Sequence, residues 1–275
     1  MTTFSDGVAL TRTDTDVFEG AVHPGWQVVR GPHGGYVAAL VLNALTERLD
    51  DPERAIRSFT THFIAVPQEG PVTVRTSVER SGRSMSFLSA RLEQEGGILA
   101  LSLAAFSTPW EGFEFDDTTM PDVPPPDDAM PVPDDAPGIP PFLKNLDMRF
   151  CIGNPPLHIG ADEALLGGWF RLREPQVVDA LVTAMLLDAW APPVFPRSDV
   201  PIVCPTIDLT MHFRSPLPLD GAKPDDFYLG RFSSTLSRDG FVEEDGVMWA
   251  PDGTVVAQSR QLSLVFFPKK RADAS

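Results

Sequence analysis

Apolar residues in this chain form two unbroken runs, and most of the rest alternate with polar ones. The first unbroken run is Tyr36-Val-Ala-Ala-Leu-Val-Leu-Asn-Ala-Leu45, in which Asn43 carries the only polar side chain between Val37 and Leu45. A surface helix keeps a polar face, so a helix that is apolar all round is a buried one. The run is too short to cross a bilayer, which takes about 20 apolar residues. Gly34 and Gly35 precede it and can adopt backbone angles closed to other residues, which allows an abrupt helix start. Asp50, Asp51 and Pro52 end it, because proline disfavours helical geometry in the residue before it. The second run, from about Gln176 to Ala189, follows Glu174-Pro175 and is stopped by Pro192-Pro193. Each run predicts a buried helix, which something else in the chain must wrap.

The remaining apolar positions supply the wrapping. A short strand is expected around Asp16–Phe18, then four strand-like runs at Ala55–Val66, Pro71–Ser81, Ser84–Glu95 and Gly97–Thr108, with Gly82 and Gly96-Gly97 marking turns. After a break the order repeats. Strands are expected near Met148–Ile152 and Gly168–Arg173, then the second helix, then strands at Thr206–Phe213, Asp226–Leu236, Phe241–Ala250 and Thr254–Phe267. Phe59-Thr-Thr-His-Phe63 and Leu209-Thr-Met-His-Phe213 occupy the same place in each half, after the helix and before a proline. Self-similarity on this scale predicts two copies of one fold in a single chain. The expected class is α+β: two tandem units, each an antiparallel sheet curled around a central helix, a double hot dog.

Composition sharpens the division. Residues 111–141 contain nine Asp or Glu and nine Pro but no Lys or Arg. Proline removes backbone donors and like charges repel, so this stretch is expected to be an extended spacer with little regular structure. The domain reading is therefore a first unit at 1–110, an acidic Pro-rich linker at 111–145 and a second unit at 146–275. A formal net charge of −16 argues against nucleic acid or an anionic membrane surface as a partner. The first residues lack the charged-then-apolar pattern of a signal peptide, which points to the cytoplasm. Cys151 and Cys204 form no paired spacing, so neither a disulfide framework nor a zinc site is expected. The chain also lacks the Gly-x-Ser-x-Gly of serine hydrolases and a Gly-rich phosphate loop, and no cofactor is expected.

Candidate chemistry begins with Asp188, a lone carboxylate in the last turn of the otherwise apolar second helix. The negative end of the helix dipole and partial burial both disfavour the anion, raising its pKa and making it a better base. A solvated Asp at a frayed helix end fits the same letters. In the strand Thr206–Phe213 alternation places Ile207, Leu209, Met211 and Phe213 on one side, and Thr206, Asp208, Thr210 and His212 on the other. In the last strand Gln261 and Ser263 share a face, opposite Arg260, Leu262, Leu264 and Phe266. Solvated faces would alternate in the same way.

Outside the linker, nearly the whole chain resembles the type II (TesB-like) acyl-CoA thioesterases, which are double hot dog enzymes. In the first half the resemblance rests on Gly31-Pro-His-Gly-Gly-Tyr36, Ser58-Phe-Thr-Thr-His-Phe63 and Gly82-Arg-Ser-Met-Ser-Phe87. In the second half it rests on Leu187-Asp-Ala189, Pro205-Thr-Ile-Asp208 with His212-Phe-Arg214, and Asp252-Gly-Thr-Val-Val-Ala257 leading to Gln261. It implies hydrolysis of acyl-CoA to fatty acid and CoA by a water that an Asp, Thr and Gln triad holds and activates, falling here on Asp188, Thr206 and Gln261. By the same resemblance Asp188 is the general base, while Thr206 and Gln261 orient the water. His33, Gly34 and Gly35 at the first helix start are candidates for substrate binding through free backbone amides. Bulky Trp190 beside Asp188 puts the preferred chain length in question. An oligomer of double units, a dimer or higher, is expected by analogy.

Two other readings fit parts of the chain. A double hot dog that holds acyl-CoA without cleaving it is one, though the joint presence of Asp188, Thr206 and Gln261 speaks against it. The other is a hot dog enoyl-CoA hydratase, whose Asp-x-Asn-Pro-Leu-His signature is similar to Ile152-Gly-Asn-Pro-Pro-Leu-His158. There Ile152 replaces the catalytic Asp, an extra proline interrupts the run, and no buried helix follows at once.

Overall fold

The computed structural model describes residues 3–135, 139–156 and 159–268. The first half runs α1 (Phe4–Gly7), β1 (Thr11–Arg12), β2 (Val17–Val22), α2 (Gly34–Leu49), β3 (Ala55–Phe63), β4 (Gly70–Ser81), β5 (Met85–Gln94) and β6 (Gly97–Ser107). The second runs β7 (Met130–Pro131), β8 (Leu146–Gly153), β9 (Ala164–Leu172), α3 (Ala180–Leu186), β10 (Thr206–Phe213), β11 (Tyr228–Ser234), β12 (Ser237–Arg238), β13 (Phe241–Trp249) and β14 (Val255–Leu264).

The strands join in one antiparallel sheet, and its order shows the repeat. The path is β1-β2-β4-β5-β6-β3-β10-β14-β13-β11-β9-β8-β7, with β12 paired to β13 off this path. The segment β2-β4-β5-β6-β3 is matched by β9-β11-β13-β14-β10, with α2 between β2 and β3 as α3 lies between β9 and β10. The halves meet along β3 and β10 in the register Phe59↔Met211, Thr60↔Thr210, Thr61↔Leu209. That register relates the halves by a local twofold through Thr60 and Thr210, whose hydroxyls lie 3.0 Å apart. The shared wording Phe59–Phe63 and Leu209–Phe213 is thus the seam of a double hot dog.

As the apolar run requires, α2 is buried: every residue from Gly35 to Leu42, with Ala44 and Leu45, is inside. Its one polar interior residue, Asn43, is half-buried and donates to the Val8 carbonyl at 2.9 Å. The helix packs on β4, β5 and α3. It ends at Leu49 because Asp50 turns into the left-handed region at φ 50° and its N–H closes on the Thr46 carbonyl. This αL cap acts two residues before Pro52. The second helix is shorter than its apolar run. Asp179 caps it, accepting from the Val182 N–H at 2.9 Å, and it closes at Leu186. A capping side chain competes with helical backbone for the first amides, so the residues before Asp179 stay outside the helix.

The acidic stretch differs in part from a plain spacer. Residues 108–129 contain no regular element, but Met130–Pro131 pairs with β8 and Pro141–Asn145 forms a 3₁₀ turn. The stretch is also tied down. The Trp169 indole N–H donates to the Pro124 carbonyl at 2.9 Å, and Met120 and Val123 pack on a small second core of Ile152, Trp169, Leu229 and Trp249. Pro137 lies outside the described residues. In the hydratase-like stretch, Ile152 is a buried residue of β8, the next element is β9 rather than a helix, and His158 lies outside the described residues.

Candidate functional site

Both halves build the site around Asp188. The chain leaves α3 in a turn, with the Asp188 and Ala189 amides closing on the Met185 and Leu186 carbonyls. Asp188 therefore sits just past the last helical residue, and the turn delivers it to the N-terminus of α2. There the Gly35 N–H donates to Asp188 Oδ2 at 2.7 Å, across 153 positions of sequence. Both glycines have helical backbone; they are needed for room. A Cβ on Gly34 would lie 2.8 Å from Asp188 Oδ2. One on Gly35 would lie 2.6 Å from the Met185 carbonyl and 2.9 Å from Asp188 Cβ. The expectation that these glycines serve unusual backbone angles is corrected: they let α3 and Asp188 approach the first turn of α2.

His33 caps α2 and clasps the same turn. Its Nδ1 accepts from the Tyr36 N–H at 3.1 Å, which places the ring proton on Nε2. Nε2 then donates to the Asp188 carbonyl oxygen at 2.7 Å and lies 3.5 Å from Oδ2. Phe142, in the 3₁₀ turn that ends the acidic stretch, stacks on the His33 ring with centroids 4.3 Å apart. His33, Gly34 and Gly35, expected to bind substrate, thus first hold Asp188. In this arrangement the Gly35 amide is engaged by the carboxylate.

Thr206 reaches the site through an irregularity. Across from β14, Thr206 pairs with Ser263 and Asp208 with Leu262, so Ile207 is an extra residue, a β-bulge. Leu209, Met211 and Phe213 keep the inward face as alternation requires. The bulge resets the count, so Thr206 points inward with its partner Ser263 instead of outward with Asp208, Thr210 and His212. The expected face of Thr206 is corrected accordingly. Its hydroxyl donates to Gln261 Oε1 at 2.8 Å. Gln261 and Ser263 share a face of β14, as the alternation of that strand predicts, and the structure makes it the buried one.

Glu244, on β13 directly opposite Gln261, is the residue that sequence reasoning missed. It is 7% exposed, and its Oε1 accepts from Gln261 Nε2 at 2.7 Å. Its signal was present: Val242, Glu244, Gly246 and Met248 are the inward positions of β13, and a Glu among them is out of place. Gln261 thus gives its oxygen to Thr206 and one N–H to Glu244, and its amide also faces Asp188.

Burial sets the electrostatics. It pushes the Asp188 carboxyl above the ordinary carboxylate range, opposed by His33, the Gly35 amide and Gln261. The side chain keeps 12% of its exposure, so water can reach it. Glu244 is pushed up to about 8, mainly by burial, with the Gln261 hydrogen bond opposing and Asp188, Asp245 and Glu243 adding to the rise. Cys204, beside Ser263 and Glu244, is pushed up to about 12 by burial and remains a thiol, unsuited to nucleophilic attack. Among the described residues no group of three or more His, Cys, Asp or Glu is placed to hold a metal ion, and no helix is long and apolar enough to cross a membrane.

The local twofold supplies an internal comparison. Through the strand registers, Thr206 corresponds to Ile56, Gln261 to Ala104 and Glu244 to Leu88, all buried. Ile56 also precedes a bulge, at Arg57. The first half keeps the backbone of the site with apolar side chains, so among the described residues the constellation is not repeated at the twofold-related position.

Known proteins agree with this architecture. The acyl-CoA thioesterase N-terminal domain model matches residues 22–107, and the C-terminal domain model matches residues 121–265. A hot dog fold protein from Alicyclobacillus acidocaldarius superposes with a TM-score of 0.86 at 26% identity, covering 96% of this chain and 98% of that one. The acyl-CoA thioesterase II TesB2 from Mycobacterium marinum gives a TM-score of 0.75 at 20% identity, covering 97% and 99%. With family models matching residues 22–107 and 121–265, the chain belongs to the acyl-CoA thioesterase family and is a thioester hydrolase of double hot dog fold.

Proposed function

We propose that the protein hydrolyses acyl-CoA to a free fatty acid and CoA, with Asp188 as the general base. The observation that carries this reading is the convergence of Asp188, Thr206 and Gln261 from separate elements on one partly accessible point. Asp188 takes a proton from a water, which attacks the thioester carbonyl carbon. The tetrahedral oxyanion collapses, the C–S bond breaks, and the proton returns from Asp188 to the departing thiolate. Proton transfer of this kind contributes roughly 10²–10⁴-fold. Thr206 donates its only proton to Gln261, so its oxygen is left to accept from the water. Gln261 presents an N–H beside Asp188. The Gly35 amide fixes Oδ2, which orients the carboxylate as the base. We place the enzyme in the cytoplasm, in lipid metabolism, as a homo-oligomer.

The test is hydrolysis of an acyl-CoA series by wild type and by Asp188→Asn. The variant is expected to lose activity by at least about 10²-fold while binding acyl-CoA as before. Wild-type-like hydrolysis by Asp188→Asn would sink the assignment. The pH profile gives a second check. A base must be ionised to act, and burial raises the Asp188 pKa. The acid limb of kcat/KM should therefore lie above the ordinary carboxylate range, with the rate falling as pH drops through it.

A further inference from the structure

We propose that Glu244 is a positioning residue for hydrolysis: its carboxyl oxygen takes one N–H of the Gln261 amide, and so holds the other towards Asp188 and the attacking water. This rests on the reading of Asp188, Thr206 and Gln261 given above. The terminal torsion of a Gln is broad and nearly two-fold, so partners must fix its plane. Thr206 cannot do so alone, because a hydroxyl pairs equally with either end of an amide. Asp188 cannot do so throughout turnover, because it gains and loses a proton in every cycle, whereas a Glu244 that keeps its proton on one oxygen offers the other as a standing acceptor. Glu244 remains. It lies on the strand directly opposite Gln261, it is 7% exposed, and its oxygen is 2.7 Å from Gln261 Nε2.

The first half shows that the fold itself does not require this acid. Its twofold counterpart is Leu88, fully buried on the same inward position of β5. A carboxyl in such a place costs stability unless it is paired, and an apolar residue would pack more simply. The acid appears only in the half that carries Gln261.

Several charged or titratable groups act on Glu244. They are Asp188 from the turn after α3, Cys204 from the segment before β10, and Glu243 and Asp245 on its own strand. With a pKa near 8, Glu244 holds its proton at neutral pH and adds no second anion beside Asp188. Above that pH its ionisation places negative charge where the reaction itself builds negative charge, and turnover falls.

The test is kcat and KM for one acyl-CoA from about pH 6 to 9.5, for wild type, Glu244→Leu, Glu244→Gln and Asp188→Asn, with Tm recorded for each. Glu244→Leu is expected to lose about 10²-fold in kcat with KM little changed, the scale of a misplaced reacting group. Glu244→Gln offers an amide oxygen to the same N–H. It should stay close to wild type at pH 7 and lack the wild-type fall in kcat centred near pH 8. Wild-type kcat in Glu244→Leu beside an inactive Asp188→Asn overturns the role of Glu244 alone. An active Asp188→Asn overturns the site reading and this role with it. Equal impairment of both Glu244 variants with an unchanged alkaline limb reduces Glu244 to packing and overturns the proposal. Should Glu244→Leu fail to fold, loss of the alkaline limb in Glu244→Gln supports the role and its persistence rejects it.

Discussion

Gly35 has two jobs that only glycine can combine. Its amide donates to Asp188, and its missing side chain leaves room for the Met185 carbonyl and Asp188 Cβ at 2.6 and 2.9 Å from where a Cβ would stand. Gly35→Ala is therefore expected to push the turn after α3 away from α2. Overpacking of this sort costs about 1–3 kcal/mol, and the displaced carboxylate should lower kcat more than it raises KM. Thermal unfolding and steady-state kinetics on the same preparation check both effects. A variant with wild-type Tm and kcat would show that the close approach is not needed. None of this was visible in the letters His33-Gly34-Gly35. They marked a helix start, but the contact that explains them lies 153 positions away.

At the scale of elements, period-two alternation put Gln261 and Ser263 on one face of β14 without saying that it is the inner one, and it misplaced Thr206 on β10. Alternation carries no mark for an extra residue, and the bulge at Ile207 shifts everything before it to the other face. Helix bounds erred for a related reason. The apolar run from Gln176 to Ala189 reports burial, whereas the Asp179 cap and the turn at Leu187-Asp188 decide where helix begins and ends. Because the bulge aims Thr206 at Gln261, the hydroxyl and not the bulk of the residue should matter. Thr206→Val, equal in shape, is expected to lose at least about tenfold in kcat, since net hydrogen bonds are worth roughly 1 kcal/mol and unsatisfied buried groups more. Thr206→Ser should retain most activity. Equal activity in the Val and Ser variants would rule out a hydrogen-bonding role.

For the whole molecule, the two-copy layout was legible because the helix-then-strands order and the Phe59–Phe63 and Leu209–Phe213 wording recur. What recurrence could not show is that the copies join edge to edge into a single sheet, with the site where α2 meets the turn after α3. Charge acts on this scale too. A net charge of −16 repels itself, and salt screens that repulsion over a Debye length of about 10 Å at 0.1 M. The Tm should therefore rise between low salt and about 0.2 M NaCl, with most of the gain at the lower end. A Tm that falls with salt over this range would show that attractive pairs outweigh the excess of acid.

The seam through Thr60 and Thr210 has a consequence for how much the covalent chain itself matters. Backbone hydrogen bonds between β3 and β10, a core shared by residues of both halves and the Gly35–Asp188 contact join the units without the segment that links them in sequence. Residues 111–117 are exposed and belong to no regular element, so a break there severs none of these contacts. Two co-expressed fragments, 1–112 and 113–275, should find one another, co-purify and hydrolyse acyl-CoA together, while neither does so alone. In effect the molecule would be a heterodimer that happens to be encoded as one polypeptide, and failure of the pieces to reassemble would show that the tether is what keeps the halves in register.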